Sequence, residues 1–342
     1  MKKSSLAHRL NTPYIVDMNA AYTFLPLRLK YLRSTLSLAL FVTASIPCRG
    51  GGGESVFEFL RIPMNARAAA LGNTFLTVRD DPAAIFSNPA LIGTIKKPAA
   101  SLGFVKYLMD MNAGYACYGQ SLKSIGWVGG GVVYMNYGDF TETDRLGNII
   151  GTFGVQDIAV TAAYGNRWEA LHYGAAIKFI HSSIAECSST GLAFDAGIVY
   201  EIPSENILLA ASVSNVGAQL SPFGDSRESL PFEFRVGAST KLEHLPLTLE
   251  LDFHKLNESR ENFLDHFSAF SIGGEFVLTP NLRARVGYNN EMRRELKIGE
   301  RAKLAGFSTG FGISVSTYAV DYAFTSFGEI GSLHRVSVGI VF

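Results

Sequence analysis

Apolar and polar side chains alternate at every second position along most of the chain from residue 98 to its end. Residues 194–201 show the pattern clearly, and it recurs over 232–239, 247–254 and 282–289. A two-residue period places the apolar side chains of a segment on one face of a β-strand. Further copies of the pattern lie at 98–107, 113–122, 126–137, 157–165, 171–182, 206–216, 268–278, 305–316, 317–325 and 332–342. The sequence therefore predicts about fourteen strands, an even number within the range of bacterial membrane barrels.

Strand length distinguishes a membrane barrel from a soluble β-sandwich, which also has strands with one apolar face. Many of the predicted strands reach about ten residues, the length that crosses a bilayer at a tilt, whereas sandwich strands have about five or six. In a membrane barrel the apolar face meets lipid and the polar face lines the lumen. The charged residues predicted to line the lumen are Lys178, Asp195, Glu233, Arg235, Glu250, Arg283 and Arg285. We therefore predict an all-β fold, a transmembrane antiparallel β-barrel over residues 98–342, with a soluble sandwich as the alternative.

The last predicted strand supports the membrane interpretation. His334, Val336, Val338 and Ile340 share one face with Phe342, the final residue of the sequence. An aromatic residue at the end of an apolar strand face resembles the C-terminal signal by which outer-membrane barrels are recognised during assembly. The sequence therefore predicts location in the outer membrane.

Residues 51–97 lack the strand pattern. Asn65–Leu71 is rich in alanine and predicts a short helix. Asp80-Asp81-Pro82 is a turn or helix-start signal, and Asn88-Pro89 is a second break. We predict that 51–97 is a partly helical N-terminal plug segment that lies in or beneath the barrel.

Residues 1–50 read as a leader. Arg28, Lys30 and Arg33 precede the apolar run Leu36–Ala44, as in a secretory signal peptide. The run is shorter than the ~20 residues of a membrane-spanning helix. Residues 1–27 are unusual before a signal peptide and suggest an over-long gene model. A lipoprotein signal at Cys48 is disfavoured because Pro47 stands where a small residue is expected.

Composition agrees with a membrane barrel and excludes one class of partner. Charged residues make up 18% of the chain, below the roughly 25% of typical soluble domains, and glycine and aromatic residues are frequent. The formal net charge is zero without a basic face, so no nucleic acid is expected as a partner. Cys117 and Cys187 could pair in an oxidising periplasm, but we interpret both as small packing residues.

Four motifs that can carry chemistry have simpler interpretations. Ser308 lies in a Gly-x-Ser-x-Gly sequence, but the alternation there continues as a strand, whereas a nucleophilic serine needs a sharp strand-to-helix turn. Gly129-Gly130-Gly131 lacks the Lys-Ser/Thr of a phosphate-binding loop, and its glycines more simply relieve crowding or allow bending inside a strand. Asp80 and Asp81 could bind calcium, yet a helix cap is simpler. The seven histidines have no metal-ligand spacing. We therefore expect no catalytic residue, no cofactor and no metal, hence a protein that is not an enzyme.

Several short stretches resemble a known family. Ile62–Asn73, Asp80–Ile85 and Asn88–Leu91 are similar to the opening signature of the PorV/PorQ family, whose barrels are related to the FadL long-chain fatty-acid transporters. The stretches that resemble PorQ members in particular are Tyr134–Glu142, Leu230–Phe234, Val286–Asn289 and Gly306–Gly312. The resemblance covers about residues 56–342.

This resemblance implies a non-enzymatic, fourteen-stranded component of the type IX protein secretion system. Such a barrel would hold a PorZ-like surface protein and work with PorU and PorV of the cell-surface attachment complex, surrounded by outer-membrane lipid. The alternatives are a FadL-like transporter of hydrophobic compounds, an outer-membrane phospholipase that uses Ser308, and a general porin. We expect surface loops near Thr141–Ile150, Pro222–Ser229 and Asn257–Leu264 to carry partner contacts, because loops on a rigid scaffold are common binding sites.

Overall fold

A closed antiparallel β-barrel forms the core of the protein. The computed structural model describes residues 55–258, 262–297 and 303–342, so the predicted leader, including Cys48, lies outside the described residues. Within these residues, fourteen strands pair in chain order and the barrel closes where β1 pairs with β14. The predicted fold class is therefore confirmed. The strands are β1 (Ala99–Lys106), β2 (Asn112–Leu122), β3 (Gly126–Thr143), β4 (Ile149–Trp168), β5 (Leu171–Ile184), β6 (Cys187–Ile202), β7 (Ile207–Ser221), β8 (Glu233–Lys241), β9 (Leu247–Phe253), β10 (Phe270–Thr279), β11 (Leu282–Asn289), β12 (Phe307–Val315), β13 (Tyr318–Ser326) and β14 (Ser332–Val341).

The two ends of the barrel differ in the length of their connections. Six strand pairs, from β2–β3 to β12–β13, are joined by turns of two to five residues at the end where β1 begins and β14 ends. At the opposite end, β7–β8, β9–β10 and β11–β12 are joined by longer connections. Bacterial barrels have short periplasmic turns and longer extracellular loops. We call these the turn end and the loop end, and all three predicted contact loops lie at the loop end.

The outer face of the barrel is apolar. Side chains of Leu102, Val160, Ile177 and Phe194, on four different strands, point outward and are exposed. Their neighbours along each strand point inward, are small or polar, and are mostly buried. This arrangement suits a barrel surrounded by lipid, because charged groups are kept away from hydrocarbon.

The residues before β1 fill the barrel, and we call residues 55–97 the plug. The plug starts at the loop end, where Ser55 pairs with Ser229, and it descends to the turn end, where Trp127 donates a hydrogen bond to the carbonyl oxygen of Ile95. Its helical elements are α1 (Ala66–Ala70) and the 3₁₀ turns Glu58–Arg61, Pro82–Phe86 and Pro89–Thr94. The other helical elements of the described residues are α2 (Asn290–Glu295) and the 3₁₀ turns Pro203–Glu205 and Phe263–Ser268.

The predicted helix signals in the plug act as caps. The side chains of Asn65, Asp81 and Asn88 accept hydrogen bonds from backbone N–H groups in the first turns of α1 and of two 3₁₀ turns. These side chains satisfy donors that a short helical turn leaves free. In the described residues, no helix has the length and apolar character needed to span a membrane.

The lipid-facing surface gives a first testable prediction. Ile177 points outward near the middle of β5, and Ser183 points to the same side near the loop end. We expect Ile177→Arg to lower the free energy of unfolding by ~2–4 kcal/mol and Ser183→Arg by only ~0–1 kcal/mol, because the cost of a cation falls from the bilayer centre to its surface. Urea unfolding in phospholipid vesicles measures both. Equal losses for the two variants would place β5 outside a bilayer.

Candidate functional site: the plugged lumen

The charged residues predicted for the lumen do point inward. Lys178, Asp195, Arg235, Glu250 and Arg285 are buried inside the barrel, with Glu233 and Arg283 partly buried beside them. Lys178 pairs with Asp195 at 2.7 Å. Other charged side chains on the inner face of the strands, which form the wall around the plug, bind the plug. The alternation along the strands does not reveal this role.

An ion-pair network holds helix α1 against the wall. Arg67 in α1 forms two hydrogen bonds to Glu275 of β10, of 2.9 and 3.0 Å. Glu275 also accepts a hydrogen bond of 2.6 Å from Arg285, which in turn contacts Asp321 at 2.5 Å. Burial acts to lower the pKa of Arg67, but the charges of Glu275 and Asp81 outweigh it and the net shift is upward. Arg67 therefore stays charged, and the network ties one plug residue to three strands.

Wall side chains also bind the backbone of the plug. Asp252 accepts hydrogen bonds from the N–H groups of Phe75 and Leu76, at 3.0 and 3.3 Å. Arg235 donates to the carbonyl oxygen of Asn73, and Arg335 donates to that of Pro63. Backbone groups in irregular structure need such partners when they are buried. Several charged side chains of the lumen therefore act as hydrogen-bond partners for backbone groups of the plug.

Inward-facing glycines let the plug approach the wall closely. The inner glycine row consists of Gly119, Gly129, Gly165, Gly174 and Gly197 on β2–β6. A β-carbon at Gly174 would lie 2.5 Å from the carbonyl oxygen of Pro89, and one at Gly165 would lie 2.5 Å from a methyl carbon of Ile92. Such distances are far below van der Waals contact, so only glycine fits there. Gly129 and Gly131 meet Ile92 and Phe86, as the interpretation of relieved crowding predicts.

A cavity of about 60 Å³ lies between the plug and the wall. Its apolar lining comes mainly from Phe59, Met64, Phe75, Phe86, Val133 and Ala159. Its polar lining includes Arg61, Lys178, Asn215, Glu233 and Arg235. The Nε atoms of Arg61 and Arg235 are buried without a hydrogen-bond acceptor among the described residues. The cavity thus combines an apolar lining with the polar side chains of Arg61 and Arg235, each of which has an Nε atom without an acceptor in the described part of the chain.

His254 is buried just beyond the end of β9, close to Arg235. Burial, with Arg235 acting in the same direction against the opposing charges of Glu233 and Glu291, lowers the pKa of His254 to about 4. The ring is therefore neutral at pH 7, and its 3.8 Å approach to Glu291 is not an ion pair there.

A pH dependence follows from this shift. The pKa of His254 is about 4 in the folded protein and about 6.5 in an unfolded chain, so the stability it contributes is present above pH 6.5 and is lost as the pH falls through 4. We expect the urea midpoint of the wild type to fall more steeply over this interval than that of His254→Gln. Parallel curves would show that His254 does not titrate in this way.

The residues considered for catalysis or metal binding lie within a strand or take part in local contacts of the fold. Ser308 lies within β12 and is buried on the inner face, with no strand-to-helix turn beside it. Asp81 caps a 3₁₀ turn, and Asp80 forms an ion pair with Lys96. In the part of the chain that the structure describes, no group of His, Cys, Asp or Glu side chains could hold a metal ion. The interpretation of Cys187 as a packing residue is wrong, because it is exposed where β6 begins, whereas Cys117 is buried.

Known structures share this fold although sequence comparison finds no relative. No model of a known protein family and no curated protein sequence matches the chain. A Pseudomonas aeruginosa FadL homologue matches 82% of this chain and 99% of its own with a TM-score of 0.54 and 12% identity. The Pseudomonas putida toluene transporter TodX matches 80% of this chain and 96% of its own, with a TM-score of 0.53 and 14% identity.

The Ralstonia pickettii toluene transporter TbuX gives the same result, with a TM-score of 0.54, 13% identity, and coverage of 81% of this chain and 96% of its own. At these identities the likeness concerns the fold alone. The described part of the chain thus has the closed antiparallel β-barrel fold of FadL-like outer-membrane proteins, and this fold supports a location in the outer membrane.

Proposed function

We propose that this protein is an outer-membrane channel for small hydrophobic compounds. The observation that carries the proposal is the cavity in which Phe59, Met64, Phe75 and Phe86 of the plug face the wall. Ligand pockets are commonly lined by apolar and aromatic side chains with a few polar groups that orient the ligand. The polar side chains of Arg61 and Arg235 can provide that orientation. The solved barrels of the same fold include toluene transporters.

Transport through this lumen requires the plug to move. The cavity of about 60 Å³ is smaller than the ~300–1,000 Å³ of typical ligand pockets. At the turn end, the plug backbone lies directly against the inner glycine row. A hydrophobic compound would therefore enter from the loop end and wait in the cavity until the plug shifts. Such a channel positions its cargo without changing it and needs no catalytic residue.

A substitution in the cavity tests the channel. Ala159 and Ala162 lie on the same strand, β4, but Ala159 lines the cavity and Ala162 faces outward. We expect cells with the wild-type barrel to take up radiolabelled toluene or oleate faster than cells without it. Ala159→Phe should bring uptake close to the rate of cells without the barrel, whereas Ala162→Phe should preserve it. The channel proposal fails if both variants take up these compounds at the wild-type rate.

A second candidate function is a scaffold of the type IX secretion system. The observation that favours it is the plug itself, which fills the lumen and is bound to the wall by ion pairs and backbone hydrogen bonds. A plugged barrel suits a platform whose partners bind at the loop end, namely a PorZ-like surface protein together with PorU and PorV.

Affinity capture tests the scaffold. A tagged copy is purified from detergent-solubilised outer membranes of its own host, and mass spectrometry identifies the proteins and lipids bound to it. Recovery of a PorZ-like protein, with or without PorU and PorV, supports the scaffold. A barrel recovered without these proteins but with bound hydrophobic compounds supports the channel instead.

A further inference from the structure

The hairpin formed by β3 and β4 extends past its neighbours at the loop end. β2 pairs with β3 only as far as Asn136, and β5 pairs with β4 only as far as Val155. Beyond these residues the two strands pair with each other from Asp139–Gly154 to Thr143–Ile149. We call residues 139–154 the surface ribbon. At about 3.3 Å per residue, it projects roughly 20 Å past the adjacent strands.

The ribbon lies beyond the lipid-facing part of the barrel. At its base, on the outer face, the hydroxyl of Tyr134 donates a hydrogen bond of 3.1 Å to the side chain of Gln156. Tyrosine side chains on the outer face of a membrane barrel are typical of the interface between membrane and water. The ribbon itself carries the charged residues Asp139, Glu142, Asp144 and Arg145, which suit water rather than hydrocarbon.

Local contacts fix the base of the ribbon. A bulge at Tyr137 and Gly138 interrupts the pairing, and Gly138 has a φ of +86°, which favours glycine. The N–H of Gly138 donates to the side chain of Asn136 at 2.7 Å, and the hydroxyl of Tyr137 donates to Asp157 at 2.7 Å. The bulge therefore sets the direction in which the ribbon leaves the barrel.

The middle and the tip are also ordered by contacts. The rings of Phe140 and Phe153 stack across the ribbon, 5.5 Å apart. At the tip, Asp144 accepts hydrogen bonds from the N–H groups of Leu146 and Asn148. The ribbon is thus ordered in the free protein, and this preorganisation reduces the conformational entropy that the ribbon would lose on binding a partner.

The ribbon exposes apolar side chains next to strand edges that, over residues 139–143 and 149–153, have no partner strand among the described residues. Leu146, Ile149 and Ile150 are 87%, 74% and 61% exposed. Proteins usually shield exposed strand edges, because a free edge pairs readily with another chain. A free edge beside apolar side chains is the geometry of strand addition, in which an extended peptide pairs through its backbone. Three acidic side chains against one basic side chain leave the ribbon negatively charged.

We infer that the surface ribbon binds an extended segment of a partner protein, in which basic and aliphatic side chains alternate, as an additional β-strand. The backbone of that segment would pair with the free edge of β4. Its aliphatic side chains would cover Ile149 on one face of the ribbon, and its basic side chains would meet Glu142 on the opposite face, where the Glu142 carboxylate lies close to Gly151 of β4. This inference concerns a different part of the molecule from the channel and does not depend on transport.

The test uses defined peptides and the whole purified barrel. A fluorescent peptide of about ten residues, in which valine alternates with lysine, is compared with its glutamate counterpart and with a lysine peptide N-methylated at alternate residues. In the shortened barrel, residues 140–153 are replaced by Asn-Gly, which forms a tight hairpin turn. The charge-reversed barrel carries Glu142→Lys. Heat-dependent gel mobility confirms that each barrel is folded, and toluene uptake should be the same for all three.

We expect the wild-type barrel to bind the lysine peptide and to bind the glutamate and N-methylated peptides at least about tenfold more weakly, a difference of about 1.4 kcal/mol. The shortened barrel should lose binding, and the charge-reversed barrel should prefer the glutamate peptide. Equal binding to the wild-type and shortened barrels would overturn the inference. So would association of the barrel with itself through the ribbon, or insertion of the ribbon into lipid vesicles, in place of peptide binding.

Discussion

Gly174→Val should convert the closed barrel into a conducting pore. A β-carbon at Gly174 would lie 2.5 Å from the carbonyl oxygen of Pro89 and 2.6 Å from the backbone nitrogen of Ala90. Backbone atoms cannot turn aside as a side chain does, so the turn Pro89–Thr94 has to leave the wall. Because this turn fills the lumen at the turn end, its displacement opens a path for water and ions.

Ion current through single barrels in planar lipid bilayers measures this effect. The matched control is Gly130→Val on β3, since the nearest atom to a β-carbon there is the carbonyl oxygen of Thr161, at 3.4 Å. We expect the wild type and the control to stay closed while Gly174→Val conducts. A closed Gly174→Val barrel with normal heat-dependent gel mobility would show that the plug does not rest on the inner glycine row.

Glu275→Leu should weaken attachment of the plug by ~3–5 kcal/mol. Glu275 lies between Arg67 and Arg285, and its removal leaves the buried guanidinium group of Arg285 and the partly buried one of Arg67 with less opposing charge. The double variant Arg67→Met and Glu275→Leu should recover part of the loss, because Arg285 keeps its contact with Asp321.

Trp127 provides the measurement, because its indole nitrogen donates to the carbonyl oxygen of Ile95 in the plug. In a Trp168→Phe background it is the remaining tryptophan of the chain, so its fluorescence during urea titration reports on the plug. A loss for the double variant equal to or larger than that for Glu275→Leu would contradict the proposed role of the network.

Alternation along the chain predicted the barrel because lipid requires one apolar face along the whole of a strand. The segment 282–289 was predicted to be a strand, and β11 has the same bounds. The inward direction of Arg285 followed from the same rule. Sequence reasoning works well here because a one-residue shift in pairing would place charges in the bilayer.

The same rule was wrong where the chain leaves the membrane. Thr141–Ile150 was predicted to be a loop, yet the connection covers only residues 144–148 and the flanking residues belong to β3 and β4. The register shifts near Gly138 and Thr143 exchange the two faces of the strands, so the alternation breaks while the hydrogen bonding continues. Tyr137, at the first of these shifts, points inward, and its hydroxyl donates a hydrogen bond to Asp157.

The contacts inside the lumen show a second limit of prediction from the sequence. Glu275 and Arg67 are 208 residues apart, and no local pattern indicates that they meet. The inner glycine row is similarly hidden, because a glycine in a strand looks the same in sequence whether it faces lipid or the plug. Gly129 and Gly130 are neighbours in sequence, yet a β-carbon on Gly129 would lie 2.6 Å from Ile92, whereas one on Gly130 would meet only ordinary contacts.

The position of the plug also constrains the order of folding. β1 follows the plug directly, and the barrel closes when Ala99 pairs with Val341, a contact between residues far apart in sequence. Such a contact forms late, because the entropy of closing so long a loop must be overcome first. Because a closed cylinder leaves no lateral route for the plug, we expect the plug to lie on the inner face of the open sheet when this seam forms. Formation of the seam would then enclose the plug in the same kinetic step.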